Sequence, residues 1–276
     1  ADSTEFKNLE LDLSEFDEIK YKSYKELKEK FTEAELQKIT NKRNRKVRDL
    51  NYAWIDKLSE PEALLREKMT LFWANVFVCR DNDIFFIQNY NNTLRKNALG
   101  NFRVFVKEIA KEPSMLKYLN NKQNKKRKPN ENFARELMEL FTLGVGNYTE
   151  QDIKESARAF TGWNFKRNGE FFLQKNQHDF DQKTFLGKTG NFNGDDIIDI
   201  ILNQKQCARF ICDKIYKYFV NPEVDEKRLE EITNIFYKDY NISSLMEHIF
   251  TSKWFYDVKN IGVKIKSPIE LLVGIQ

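Results

Sequence analysis

Asn130-Glu131-Asn132-Phe133-Ala134-Arg135-Glu136-Leu137-Met138-Glu139-Leu140-Phe141 is the stretch that decides the fold of this 276-residue chain. At 100° per residue, Leu140, Phe133, Leu137, Phe141, Ala134 and Met138 fill one contiguous arc. Glu131, Arg135, Glu139, Asn132 and Glu136 fill the opposite arc. The pattern predicts an amphipathic helix with one face in a core. Asn130 suits the N-cap, and Gly144 and Gly146 lie just past the end.

The same period extends outward in both directions. Thr32 with Glu35 makes a capping box. Leu36, Ile39, Val47, Leu50, Trp54 and Leu58 then recur at helical spacing, predicting a long helix to about Leu58. Ser59 with Glu62 is a second box, with Pro61 in the first turn. After it, Leu65, Met69, Phe72 and Val76, with Trp73 and Phe77, give a helix apolar over a wide face and therefore buried. Further helices are predicted over 84–97 and over 102–111, until Pro113. The first twenty residues are acidic and aperiodic. Downstream, Thr149 with Asp152 opens a helix carried by Ile153, Ala157 and Phe160, and Gly162 stops it.

Five of the ten glycines fall between Gly162 and Gly194. There Trp163-Asn164-Phe165, a turn at Arg167-Asn168-Gly169 and Phe171-Phe172-Leu173 predict a β-hairpin. Residues 177–194 read as an ordered loop with a short strand near 184–186. Helical texture returns at Asp195 and continues through 208–220, 225–240 and 243–251. The expected architecture is all-α, a multi-helical domain with a small β-hairpin insert near residues 163–174. It divides into an irregular lead-in (1–31), a helical core (32–161), the hairpin and glycine-rich loop (162–194) and C-terminal helices of the same domain (195–276). The expected core is Phe72, Trp73, Phe77, Phe133, Leu137, Leu140, Phe141, Phe160 and Trp163.

Composition agrees. A 41% hydrophobic share excludes a disordered chain. Only ten glycines and five prolines argue against a sandwich or barrel, which needs many turns. No run approaches the roughly 18 apolar residues of a membrane span. A net charge of +4 is too mild for a dedicated nucleic-acid binder. Cys79, Cys207 and Cys212 have no zinc-finger spacing, and Cys207 and Cys212 read as core thiols. Residue 1 is alanine, which is expected of a processed or shortened form.

Two polar constellations stand out. Glu131–Arg135 and Arg135–Glu139 are i,i+4 pairs, worth about 0.2–0.5 kcal/mol each on an exposed helix. They read either as a solvated, salt-bridged face or, with Glu136 and Glu139 at i,i+3, as an acid–base pair or cation site. His178-Asp179 lies in the glycine-rich loop. It reads as a backbone-bonded surface histidine, as a general base oriented by a carboxylate, or as a metal ligand. Lys183 could pair with Asp179 or bind an anion. His248 reads as a helix-face or packing residue. Two basic runs, Lys42-Arg43 to Arg48 and Lys122 to Lys128, read as a solvated helix face and a loop; the second could fold onto the acidic arc that follows it. No Walker loop, GxGxxG, GxSxG, HExxH or CxxC is present, which argues against nucleotide hydrolysis, dinucleotide oxidoreduction and serine-hydrolase chemistry of the usual kinds. Two histidines without His–Cys spacing argue against a histidine-rich zinc centre. The residues assign no cofactor.

From Asn130 to Trp163 the string NENFARELMELFTLGVGNYTEQDIKESARAFTGW resembles the signature of a bacterial family known as domain of unknown function 1800. So do Leu65-Arg66-Glu67-Lys68-Met69 with Phe72-Trp73, Leu94-Arg95 with Ala98-Leu99-Gly100-Asn101-Phe102, and His178-Asp179 with Lys183-Thr184-Phe185-Leu186-Gly187. Gly194-Asp195-Asp196, Thr251-Ser252 and Lys266-Ser267-Pro268-Ile269-Glu270-Leu271 fit as well. The resemblance covers about residues 62–276. It implies a mainly helical bacterial protein without an agreed activity, often exported, hence periplasmic, envelope-associated or secreted. It also implies that this chain is a piece of something longer. One departure stands out: the family commonly shows W-H-x-H-F where this chain has Trp73-Ala74-Asn75-Val76-Phe77, so a metal site on that pair would be lost here.

Two functional expectations follow. The first is a non-catalytic envelope or export-linked interaction protein, with a protein partner or a small molecule as ligand. The second is an enzyme or pseudoenzyme with its site where the 130–142 helix meets the 177–187 loop, with or without a metal. In that reading Glu136, Glu139 and His178 are the catalytic groups, and Arg135, Asn130, Asp179 and Lys183 the binding groups.

Overall fold

A computed structural model describes residues 6–60 and 64–275. Among these residues the chain forms thirteen α-helices and two small antiparallel sheets of two strands each. The helices preceding the first sheet are α1 (Tyr24–Lys30), α2 (Glu33–Leu58), α3 (Leu64–Val76), α4 (Ile84–Asn97), α5 (Phe102–Ala110), α6 (Pro113–Tyr118), α7 (Asn132–Glu136) and α8 (Glu150–Ala159). Strands β1 (Trp163–Phe165), β2 (Phe171–Leu173), β3 (Lys183–Phe185) and β4 (Lys188–Gly190) follow. The chain then returns to helix in α9 (Gly194–Leu202), α10 (Lys205–Phe219), α11 (Glu226–Asp239), α12 (Ile242–Thr251) and α13 (Pro268–Val273).

The caps explain several boundaries. Thr32 accepts from the Glu35 amide while Glu35 accepts from the Thr32 amide at 2.8 Å, and α2 runs its full predicted length. Thr149 and Asp152 open α8 in the same way. Glu62 and Pro61 lie outside the described residues, and with them the box expected at Ser59–Glu62. Three helices differ from expectation, α13 among them, for which no helix was predicted. The lead-in contains α1, capped by Ser23 and Glu26, with no buried residue. A helix whose inward contact is the half-buried Leu27 alone has no apolar period to read, only its cap. Pro113, read as a stop, also opens α6 as its first residue, where its missing N–H costs nothing.

The 130–141 segment is helical, but its second half is a π-helix, Leu137–Thr142. Leu143 and Gly144 both donate to the Met138 carbonyl, at 2.8 and 3.0 Å, and the Thr142 hydroxyl donates to the Leu137 carbonyl at 2.6 Å. Each residue of a wider turn advances less than 100°, so the predicted phase slips. Phe133, Ala134, Leu137, Met138 and Phe141 are buried, whereas Leu140, expected in the core, is 45% exposed. Asn130 is not the cap either. Its Oδ1 accepts from the Asn132 amide at 3.0 Å, and Glu131 is the flanking residue.

The hairpin lies where it was expected, with Trp163 opposite Leu173 and Phe165 opposite Phe171. In place of one short strand near 184–186 there is a second hairpin, with Lys183 opposite Gly190 and Phe185 opposite Lys188. Its two-residue turn, Leu186-Gly187, has positive φ at both positions (44° and 75°), the twist that two-residue hairpins favour. Leu186 is held there by its amide's bond to Asp152 Oδ1 at 2.8 Å.

The main core joins α3 to α12 around aromatic contacts. Trp73 stacks on Phe77 and Phe102, and Phe133 meets Phe160 edge-on. Phe72, Trp73, Phe77, Phe133, Leu137, Phe141, Phe160 and Trp163 are all buried in it. Cys207 and Cys212 are free and buried there, the Cys207 thiol pushed up to about 12 by burial. Gly194 starts α9 against the hairpin: a Cβ there would lie 2.3 Å from Trp163 and 2.5 Å from Phe160. A second, smaller core gathers Leu9, Phe16, Ile19, Leu50, Ile84 and Phe85.

Candidate functional site

The structure divides the candidate residues between two hydrogen-bonded groups. In the first, the π-turn carries Glu139 away from the i,i+4 partner expected for it. Arg135 instead holds Glu150 with two bonds of 2.9 Å and Glu131 with one of 3.3 Å. Glu139 accepts from the Tyr148 hydroxyl at 3.2 Å. Burial, and then the neighbouring Glu139 carboxylate, raise the Glu136 carboxyl above its usual range against the pull of Arg135. The face is half-buried; Glu131 and Arg135 are salt-bridged, whereas Glu136 and Glu139 form no salt bridge with a described residue.

The second group lies behind Gly162, whose φ of +76° turns the chain from α8 into the hairpin. His178, Asp179 and Lys183 are all buried. His178 Nδ1 donates to the Thr161 carbonyl at 2.7 Å, since a carbonyl only accepts, and its ring meets Phe180 edge-on. Burial lowers the imidazole's pKa. Burial alone would raise the Asp179 carboxyl; the bond from Arg158 Nε (2.8 Å) and the Asp181 amide (2.9 Å) outweigh it and leave the group below its usual range. Lys183 Nζ donates to the carbonyls of Asp179 (2.6 Å) and Asp181 (2.9 Å), and burial lowers its pKa. Arg158 also holds Glu155, whose Oε2 accepts from the Thr184 amide at 3.0 Å. The arrangement locks the loop onto α8 from within. Lys183 thus bonds carbonyls rather than the Asp179 carboxylate or an anion, the two partners read for it from the sequence.

The basic loop does not fold onto the acidic arc. Lys126 pairs with Asp181 at 3.3 Å, and its amide donates to the Gln177 carbonyl at 2.7 Å. Lys122 lies over the Phe165 ring. His248 Nε2 meets Glu231 Oε1 at 2.8 Å on a helix surface. Ala74 and Val76 diverge, because residues two apart on a helix point about 200° apart. Val76 is buried, while Ala74 is half-buried and lines a cleft against α2 and α4. Among the described residues no three His, Cys, Asp or Glu side chains converge as a metal site would require. No helix among them is long and apolar enough to cross a membrane.

Sequence reasoning missed the most buried charged pair. Glu67 and Arg95 are both fully buried, with Arg95 Nε 2.6 Å from Glu67 Oε1 and Nη2 3.1 Å from Oε2. Trp54 Nε1 donates to Glu67 Oε2 at 3.1 Å, and Arg95 Nη1 donates to Asn92 Oδ1 at 2.7 Å. The available signal was a glutamate inside a helix otherwise apolar over a wide face.

A helical protein with a buried ionic tie between α3 and α4 and an internally bonded loop on α8 is the class that this geometry defines. The family described as "Protein of unknown function (DUF1800)" matches residues 3–276, and the chain belongs to it. The match takes in the N-terminal stretch, which the quoted resemblances leave out. Comparison with curated proteins and with solved structures found no match.

Proposed function

We propose that this chain is a non-catalytic interaction protein of a bacterial cell envelope or its exterior, and that residues 258–275 form the docking segment. The observation that carries the reading is apolar exposure there. Val258, Ile261, Ile265, Leu271 and Ile275 are 86, 66, 93, 52 and 74% exposed. Apolar side chains exposed along one segment in this way mark an interaction surface. Within it, residues 262–266 make no backbone hydrogen bonds with the described residues, and Val263 and Ile265 alternate with Lys264 and Lys266. An extended strand of a protein partner satisfies both features, main-chain bonds for the backbone and apolar contact for alternate side chains. The bonding of His178, Asp179 and Lys183 into their own loop supports a structural use of those groups. The envelope assignment rests on the resemblance alone.

A photo-reactive residue at Ile265, in the full-length protein in its own cells, gives one discrete protein adduct in the envelope fraction. The adduct disappears with Val263→Asp and Ile269→Asp. The same probe at Val145, which is 76% exposed, gives none. No adduct at Ile265, or one indifferent to the two aspartates, overturns the docking segment. An adduct confined to the cytoplasm overturns the envelope assignment.

A second reading keeps Glu136 and Glu139 as an acid–base pair, favoured by the raised Glu136 carboxyl beside Glu139. It requires a ligand at that face whose binding is lost in Glu136→Gln.

A further inference from the structure

We propose that the cleft between α2 and α4 binds a small aromatic carboxylate. The cleft has a volume of about 580 Å³, within the range of small-molecule sites. One wall is α2, with Val47, Leu50 and Trp54; the other is α4, with Ile87, Tyr90 and Leu94. The polar ends of both aromatics are used elsewhere. Trp54 donates to Glu67, and the Tyr90 hydroxyl donates to the Phe77 carbonyl. Only their ring surfaces are left for an occupant. This site stands apart from the docking segment at 258–275 and does not depend on it.

Two cationic side chains line the cleft. Arg48 and Arg80 line it and are exposed. Neither forms an ion pair or a side-chain hydrogen bond with any described residue. Asp81, the one carboxylate of the lining, is committed: it accepts from Ser114 Oγ at 3.0 Å, Lys117 Nζ at 2.5 Å and the Asp83 amide at 3.0 Å. Asn91 is 6% exposed, and its carboxamide bonds to no described residue. Its Oδ1 is sealed from solvent without a partner. An amide held at this depth without partners is an uncompensated cost of folding. Cys79 also lines the cleft, but burial, with Asp81 adding to it, pushes its thiol up to about 12, so it is present as a neutral apolar group. The Asn44, Asn51 and Asn82 carboxamides of the lining can meet either a donor or an acceptor, whereas two unpaired guanidinium groups beside ring faces select a flat apolar body carrying an anionic acceptor. A carboxylate matches the planar fork of an arginine.

The test uses the full chain carrying fluorotryptophan, with the ¹⁹F resonance of Trp54 as readout. Phenylacetate is the probe, and phenylacetamide is its neutral isostere. The expected result is a saturable shift with phenylacetate and binding of the amide weaker by about tenfold, the worth of one charge-assisted contact. Arg48→Gln with Arg80→Gln, both on exposed side chains, removes that preference without changing the unfolding temperature. Ala74→Leu narrows the cleft and weakens both ligands. Octanoate as a second probe separates an aromatic site from an acyl-chain site. The proposal is overturned if phenylacetate gives no saturable shift, if the amide binds equally well, if the arginine variant keeps the preference, or if octanoate outcompetes phenylacetate.

Discussion

Glu67 and Arg95 show how much one residue's environment decides. Two charges that would be worth little at a surface are here removed from water and satisfied by each other, Trp54 and Asn92. Removing one partner leaves the other buried and uncompensated. Glu67→Gln is expected to cost about 3–5 kcal/mol in chemical denaturation, against under about 1 kcal/mol for an exposed pair such as Lys166–Glu170. A Glu67→Gln loss no larger than that of the exposed pair would show the tie to be unimportant. His178 gives a pH signature. Its pKa is held below 6.5 by burial, so as pH falls through about 6.5 the unfolded chain takes up the proton first. Its contribution is present above that pH and is lost progressively towards the lower folded value. The unfolding temperature should therefore fall between pH 7.5 and pH 5, and His178→Asn should reduce that pH dependence. The depressed Asp179 carboxyl adds a loss in the same direction only below about 3.8. Equal pH dependence in the wild type and the variant would remove His178 from the account.

At the scale of elements, the α7 segment separates what a period predicts from what a helix does. Phe133, Ala134, Leu137, Met138 and Phe141 lie where a regular helix places them, and Leu140 does not. The difference is the π-turn, which no local residue type announced. Two substitutions separate the readings. Leu137→Ala should cost about 2–5 kcal/mol as a core truncation, while Leu140→Ala should stay within about 0.5 kcal/mol as a surface change. Similar losses in both, measured by denaturant unfolding, would return Leu140 to the core. Other elements were legible because their signals are local: the boxes at Thr32 and Thr149, the β1–β2 hairpin around Gly169, and Gly162 at the end of α8. The β3–β4 hairpin was half-legible, because Leu186 takes a positive φ that its residue type disfavours and the Asp152 contact supplies.

At the scale of the whole molecule, the two cores are unequal. The larger one binds α3 to α12, and the smaller one ties the N-terminal segment to α2 and α4 through Leu9, Phe16, Ile19, Leu50, Ile84 and Phe85. A region with fewer buried apolar contacts opens at lower free energy. In native-state hydrogen exchange, amides in the first half of α2 should exchange faster than those of α10, with protection in α10 set by global unfolding. Equal protection would make the molecule one cooperative unit. The sequence by itself determined the all-α class, most helix boundaries, the first hairpin and eight of the nine residues it assigned to the core, because periodicity, caps and turn residues act over a few neighbouring positions. Tertiary structure alone decided the burial of Glu67 with Arg95, the inward bonding of His178 and Lys183, the outward turn of Leu140 and the arginine-lined cleft between α2 and α4. The physical reason is that desolvation and long-range pairing depend on groups far apart in the chain, such as Glu67 with Arg95 or Arg158 with Asp179, whose meeting no local pattern encodes.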